Sequence, residues 1–241
     1  MLYGRPIVQY YGKWPFIRVL GVQEFFSTVF SMGNAAPHIY YLLYRRHQYA
    51  PSNYMLSPVL IGSSINGINT WWWSTVFHAR DTWWTERLDY HGATLLLVAY
   101  AWIAVLRLYI SVFKVNYYHA SMAALIVFGV SFCHHVYLMN TSVFDYGYNM
   151  KYNAFIFVVQ LSTWFMYAYH RRHCKHVLKV IKFQMMLSLA ATFEIFDFPP
   201  FFLLIDAHAV WHLLTIFLGF YWYSFLEDDA ASIVVESKRI V

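Results

Sequence analysis

Five polar residues in this chain are spaced so that they could form one catalytic site. Ser74 and His78 are four residues apart, and so are His208 and His212, which places each pair on one face of a helix. Asp89 follows His78 by eleven residues, so a short turn can return it to the same level. Three histidines with an open fourth position are typical of catalytic zinc, which lowers the pKa of its bound water to about 7. The spacing therefore predicts a hydrolytic zinc site with His78, His208 and His212 as ligands.

The two remaining residues have candidate catalytic roles. Asp89 could orient a ligand histidine or take a proton, and Ser74 could hydrogen-bond the water or a developing oxyanion. The alternative is that the histidines are merely interfacial, with Ser74 bonded back to a helix carbonyl. The zincin pattern HExxH is excluded, because Ala209 follows His208.

The composition indicates which elements must position these residues. Of 241 residues, 60% are hydrophobic, 22% are aromatic and only 12% are charged, against roughly 25% charged residues in soluble domains. A soluble globule of this size could not bury that much apolar surface. The composition excludes a disordered chain, a disulfide scaffold and an ordinary cytosolic enzyme, and it favours a polytopic membrane protein.

Seven segments are apolar enough to be candidate membrane spans, each requiring about 20 residues. We therefore predict an all-α, seven-transmembrane helix bundle with an intramembrane zinc site. The connections are short and leave no room for a separate soluble domain. The predicted spans are approximately 25–44, 55–77, 90–108, 119–139, 154–169, 177–193 and 207–225.

The distribution of Lys and Arg orients this bundle. The net charge is +5, and basic residues concentrate in alternate connections, most densely between residues 171 and 182. This pattern predicts a lumenal N-terminus and a cytosolic C-terminus, and it needs no nucleic-acid partner. We expect a short lumenal segment at 1–24, a hydrolase domain at 25–226 and a cytosolic tail at 227–241. Arg107 is assigned to a cytosolic connection, and Asp229 to a solvated stop after the last span.

The other ionisable residues near the spans have structural interpretations. His134 and His135 are expected to make interhelical hydrogen bonds, and Asp206 is expected to cap the last helix. His91 is close enough to Asp89 to be a candidate supporting residue. The sequence Asn140-Thr141-Ser142 is a glycosylation sequon close to the bilayer.

At this point the residues resemble a known family. The spacing Ser74-x3-His78, Asp89 and His208-x3-His212 is similar to the signature of the CREST superfamily, which includes alkaline ceramidases and adiponectin/progestin-type receptors. Further blocks resemble its GPI-remodelling branch, in order from about residue 9 to the C-terminus. They are Gly12-Lys13-Trp14-Pro15-Phe16 with Gln23-Glu24, the segment from Trp73 to His78, the segment from Phe144 to Asn149, Asp197-Phe198-Pro199-Pro200, the segment from Asp206 to His212, and the segment from Ser224 to Asp229.

The resemblance implies a Golgi or ER enzyme that removes the sn-2 acyl chain of GPI anchors, a phospholipase A2-like ester hydrolysis. It implies Zn²⁺ as cofactor, held by His78, His208 and His212, with Ser74 and Asp89 as catalytic residues. Its expected partners are GPI-anchored proteins, GPI lipid and membrane lipids. Two alternatives stay open: an amide hydrolase like the related ceramidases, and a non-catalytic seven-transmembrane receptor with structural zinc.

Overall fold

The computed structural model describes residues 6–10, 12–141 and 144–238, and it is helical without a β-strand in those ranges. Seven helices of sixteen residues or more are present there. The elements are α1 (Phe25–Tyr40), a π-helical segment (Tyr41–Arg45), α2 (Arg46–Tyr49), α3 (Ser57–Ala79), α4 (Trp83–Ser111), α5 (Tyr117–Thr141), α6 (Tyr146–His170), α7 (Val177–Phe196) and α8 (Ala207–Lys238).

Local sequence signals account for several helix ends. A capping box formed by Thr82 and Thr85 begins α4, and the Asp145 side chain accepts a hydrogen bond from the Tyr148 amide at the start of α6. The α7 helix ends before Asp197, where the two prolines at 199 and 200 prevent its continuation. These ends place the polar connections at the two faces of the bundle.

Six of the long helices form a closed ring in which α1, α3, α4, α6, α7 and α8 pack in that order and α8 returns to α1. Helix α5 lies outside this ring and packs chiefly against α4. The short α2 and the π-helical segment also contact α8 and α3. The ring therefore encloses side chains from α3, α4 and α8, the helices that carry the predicted site.

Small residues allow α1 to pack closely against its neighbours. A Cβ atom added at Gly67 would lie 2.4 Å from the ring of His38, and one at Gly219 would lie 2.6 Å from the ring of Pro37. His38 is buried there, and its Nδ1 is 2.9 Å from the hydroxyl of Tyr223. Glycine at these two positions sets the distance of α1 from α3 and α8.

The helical fold and the membrane class agree with the prediction from sequence. By length and composition, α4, α5 and residues 207–233 of α8 qualify as membrane spans within the described ranges. Of the other long helices, α1 has only 16 residues, and it carries the buried polar residues Ser27, Thr28, Ser31, Asn34 and His38. The count of seven spans stays a prediction.

A buried ion pair lies at the end of the bundle away from the histidines. Arg107 donates from Nε and Nη2 to the two Asp229 oxygens at 2.6 and 2.7 Å. The hydroxyls of Tyr54 and Tyr167 donate to the same carboxylate, and His176 lies 3.2 Å from it. Asp229 is only 2% exposed and Arg107 only 3%. Assigning Asp229 to a solvated stop and Arg107 to a connection was therefore wrong, because both face the interior of the bundle.

Candidate metal centre

The predicted histidines converge at one end of the ring. His78 lies in the last turn of α3, while His208 and His212 occupy the first two turns of α8. Asp206 caps α8, since its carboxylate accepts a hydrogen bond from the Ala209 amide at 2.8 Å. This cap, predicted from sequence, fixes where α8 begins and hence the height of its two histidines.

The three imidazoles turn the same nitrogen inward. The Nε2 atom of His78 lies 3.3 Å from that of His208 and 3.2 Å from that of His212, and the two α8 nitrogens are 2.8 Å apart. Nitrogen ligands at 2.0–2.1 Å from a tetrahedral zinc ion are separated by about 3.3–3.4 Å. The three side chains therefore form a group that could hold a metal ion.

Two glutamates fix the protonation of the Nδ1 atoms of His78 and His208, which point away from the centre of the cluster. His78 Nδ1 is 2.7 Å from Glu24 Oε2, and His208 Nδ1 is 2.6 Å from Glu194 Oε2. An ionised carboxylate can only accept, so each imidazole donates its Nδ1 proton, and in its neutral form it carries a lone pair on Nε2. Two lone pairs that face each other at 3.3 Å repel unless a cation or a shared proton lies between them. The donor set therefore fits a metal ion, and carboxylate–histidine pairs of this kind are typical of zinc sites.

Glu24 reaches the site because the N-terminal segment folds over this end of the bundle. The amides of Gln23 and Glu24 donate to the carbonyls of Ala79 and His78 at 3.2 and 3.0 Å. Burial alone would raise the pKa of the Glu24 carboxyl, but the neighbouring imidazoles of His78 and His208 outweigh it and lower that pKa. Glu24 is thus held as a carboxylate against its histidine partner.

Further polar contacts tie the same segment to both neighbouring loops. Trp14 Nε1 and Gln9 Nε2 each donate to the Asp197 carboxylate at 2.7 Å, which joins the segment to the end of α7. Lys13 forms ion pairs with Asp81 and Glu86, between α3 and the start of α4. Although partial burial opposes it, these two carboxylates raise the pKa of the Lys13 ammonium. Gln9, Lys13 and Trp14 therefore anchor the described part of this segment at both sides of the histidine cluster.

Ser74 and Asp89 lie together beside the histidines. The Asp89 carboxylate interacts electrostatically with Ser74, His78 and His208. Ser74 Oγ is 3.1 Å from Ser31 Oγ of α1. Asp89 lies in the second turn of α4 because that helix begins at Trp83, earlier than the predicted span.

One side of the cluster is open. His78 and His212 are nearly fully buried, whereas 32% of the His208 side chain is accessible and Glu194 beside it is partly exposed. A substrate can therefore approach from the side of α7 and α8. His91 does not join the site, since its Nε2 lies 3.0 Å from Asn140 Nδ2.

Sequence reasoning missed three members of the site. Glu194 was outside the predicted sixth span, which was expected to end at 193, while α7 continues to Phe196. Glu24 stood in a segment that resembles the family but had no role assigned, and Ser31 was not singled out. The available signal was an acidic residue at the end of an apolar helix, which is costly unless it is paired.

These observations define an all-helical membrane protein with a buried three-histidine cluster that could hold a metal ion. The class can be named more closely from sequence comparison. The chain belongs to the Per1-like family, whose model matches residues 2–230. This confirms the resemblance to the GPI-remodelling branch.

Curated relatives match nearly the whole chain. A Bos taurus protein named GPI-specific phospholipase A2-like PGAP3 is 34% identical over 242 residues, covering 99% of this chain and 73% of the relative. The Homo sapiens protein of the same name is 32% identical over 240 residues, covering 98% and 72%. A Drosophila melanogaster protein named Post-GPI attachment to proteins factor 3 is 34% identical over 229 residues, covering 93% and 68%.

Proposed function

We propose that this protein is a zinc-dependent membrane hydrolase that removes the sn-2 acyl chain of GPI anchors. The observation that carries the proposal is the convergence of three Nε2 atoms, together with the two glutamates, Glu24 and Glu194, that hold the Nδ1 atoms of His78 and His208. The names of the relatives in cattle, human and fly support the substrate class. GPI-anchored proteins and GPI lipid are the proposed partners.

In this proposal His78, His208 and His212 hold zinc. Zinc bound in this way supplies a Lewis acid and an activated water for ester hydrolysis. Glu24 and Glu194 keep the Nδ1 protons in place, so that the Nε2 lone pairs stay directed inward. The partly exposed His208 side leaves room for the ester carbonyl to approach.

Ser74 and Asp89 are the proposed catalytic residues. The Ser74 hydroxyl can donate to the carbonyl oxygen as negative charge develops on it. The Asp89 carboxylate can take a proton from the attacking water and deliver it to the leaving glycerol oxygen. The water oxygen bonds to the acyl carbon, the ester C–O bond breaks, and a fatty acid and a lyso-GPI alcohol result. Ser31 positions Ser74 through its hydroxyl contact.

The proposed topology is a seven-span bundle in the Golgi or ER membrane, with residues 1–24 lumenal, the hydrolase domain at 25–226 and residues 227–241 cytosolic. The basic residues between 171 and 182 support a cytosolic location for that connection. The histidine cluster lies at the opposite end of the helices, which is the lumenal face on this topology. A C-terminal tag should then be accessible from the cytosol without permeabilising the organelle.

The test compares purified wild-type protein with the His78→Ala/His212→Ala double variant, using a GPI-anchored protein and a ceramide as substrates. His170→Ala, an exposed histidine at the end of α6, is the matched control. We expect about one zinc per chain and fatty acid released from GPI, both lost only in the double variant. Turnover of ceramide alone would replace the ester hydrolase by an amide hydrolase. Zinc without turnover of either substrate would favour a receptor with structural zinc.

A further inference from the structure

Two apolar turns lie side by side at the histidine end of the bundle. The first turn (residues 19–22) belongs to the N-terminal segment and comes just before Glu24, and the second turn (residues 201–205) connects α7 to α8. The Ile17 amide, which precedes the first turn, donates to the Leu203 carbonyl in the second turn at 2.9 Å. The two turns are therefore neighbours, and each is followed within a few residues by a member of the candidate metal centre.

Both turns carry large apolar side chains where the backbone disfavours them. Leu20 has a φ of 54° and Phe202 a φ of 53°, a region that favours Gly, Asn and Asp. The Val22 amide closes the first turn on the Val19 carbonyl at 3.0 Å, and Gly21 also has a positive φ, as in a type I′ turn. Leu20 is 93% exposed and Phe202 is 90% exposed, so packing within the protein does not compensate. A local conflict of this kind is typical of residues that serve an interaction.

The helices beside the turns place them at the surface of a membrane. The α4 and α8 helices qualify as spans, and their apolar segments begin at Trp83 and Ala207, at the histidine end of the bundle. Only Asp206 separates the second turn from Ala207. The amide of Gln23, next to the first turn, donates to the carbonyl of Ala79 at the end of α3, just before α4 begins. Both turns are thus at the level where these two spans enter the bilayer.

The apolar surface of the second turn continues onto α7. The ring centroid of Phe198 lies 5.3 Å from that of Phe201 and 6.4 Å from that of Phe193 in α7. Phe196, at the end of α7, is also exposed. This surface therefore extends to the helix end that carries Glu194, on the accessible side of the histidine cluster.

We propose that the two turns insert into the membrane leaflet at the histidine end of the bundle. Leu20 and Phe202 lie below the headgroups, and the exposed Arg18 beside them interacts with lipid phosphate. Apolar groups of interfacial elements are buried about 5–10 Å at the boundary between headgroups and acyl chains. The accessible side of the histidine cluster is then held at the level of the lipid ester groups. Insertion itself does not depend on the proposed hydrolase activity.

The test measures the depth of a nitroxide label on the full chain in palmitoyl-oleoyl phosphatidylcholine vesicles. The label is attached to Leu20→Cys or Phe202→Cys, after the free Cys133 and Cys174 have been replaced by alanine. Collisions with oxygen, which is enriched among acyl chains, and with a water-soluble nickel complex report the depth. We expect both labels to lie about 5–10 Å below the headgroup level. Val127→Cys, at an exposed position in the middle of α5, is the bilayer reference.

Asparagine at both tips provides a second variant. Because asparagine adopts the left-handed conformation, Leu20→Asn/Phe202→Asn keeps the turns and removes their apolar side chains. A label at Ile17→Cys should then move towards water by about 5 Å. The control is Leu43→Asn/Tyr44→Asn, which removes two exposed apolar side chains at the other end of α1 and should leave the label in place.

Three results would overturn the proposal. Collisions mainly with nickel at both tips would place the turns in water. Low collision rates with both reagents would indicate a protein contact, such as one with a second copy of this chain. An unchanged depth of the label at position 17 in the asparagine variant would show that the two tips do not hold the segment in the membrane. Monodisperse elution and helix content are the folding controls, and if one labelled variant fails to fold, the other decides the outcome.

Discussion

Replacing Glu194 with glutamine should weaken the proposed metal binding without removing any of the three histidines. The carboxylate oxygen lies 2.6 Å from His208 Nδ1, and such a charge-assisted hydrogen bond is roughly twice as strong as a neutral one. Glutamine keeps the shape but loses the charge, and its amide can also present a donor to Nδ1. The imidazole is then less basic and no longer restricted to the tautomer with a free Nε2. Losing such a partner typically costs 10- to 100-fold in metal affinity, about 1.4 to 2.8 kcal/mol.

The assay is competition between the purified protein and a chelating dye, with bound zinc measured by elemental analysis. Glu24→Gln should behave similarly, because Glu24 holds His78 in the same way. Glu227→Gln is the control, since Glu227 pairs with Arg45 at the other end of the bundle. Unchanged zinc affinity in both Glu24→Gln and Glu194→Gln would refute the orienting role of the carboxylates, whatever the activity of the variants.

Three further changes test other parts of the structure. Ser74→Ala should lower kcat about 10²- to 10³-fold while zinc content stays the same, as for loss of an oxyanion donor; a loss of zinc instead would contradict that role. Arg107→Ala should destabilise the protein by about 3–5 kcal/mol in detergent unfolding, because its carboxylate partner stays buried and uncompensated, whereas Arg45→Ala should have a smaller effect. Gly67→Ala should cost about 1–3 kcal/mol from overpacking against a histidine ring, while Gly62→Ala, with open space around its Cβ, should not destabilise in the same assay.

Much of the histidine cluster was predictable because its signal is local. His208 and His212 are one helical turn apart, and the polar turn after His78 returns the chain to Asp89 at the same level. Helix periodicity converts such spacing directly into a shared face. The helical class was predictable for a different reason. Long apolar segments in a lipid environment must satisfy their backbone hydrogen bonds internally, and a helix does so within one segment.

The orienting carboxylates could not be found in this way. Glu194 precedes His208 by fourteen residues, and the helix break at Asp197 lies between them, so no periodicity relates them. Glu24 is 54 positions from His78 and reaches it through a folded segment rather than a regular helix. Pairings of this kind depend on which helices become neighbours in the ring, which spacing along one helix does not encode.

The acidic run at 227–229 is a second case in which the sequence did not reveal the partners of charged residues. A charged triplet after an apolar segment is typical of a solvated stop, yet its three carboxylates contact cations on three different elements. Glu227 pairs with Arg45 and Asp228 with Lys179, while Asp229 is buried against Arg107.

Charge density along the chain thus indicates where a helix leaves an apolar environment but not which of its faces stays inside.

The bundle has a buried polar cluster at each end, and the two clusters have different chemistry. The histidine end combines two carboxylates with imidazoles whose facing Nε2 lone pairs repel unless a cation or a shared proton lies between them, and it is partly accessible. The Arg107–Asp229 end is neutral as an ion pair and closed by two tyrosine hydroxyls. Only the first arrangement leaves lone pairs directed at a common point, and for that reason we assign the chemistry to that end of the protein.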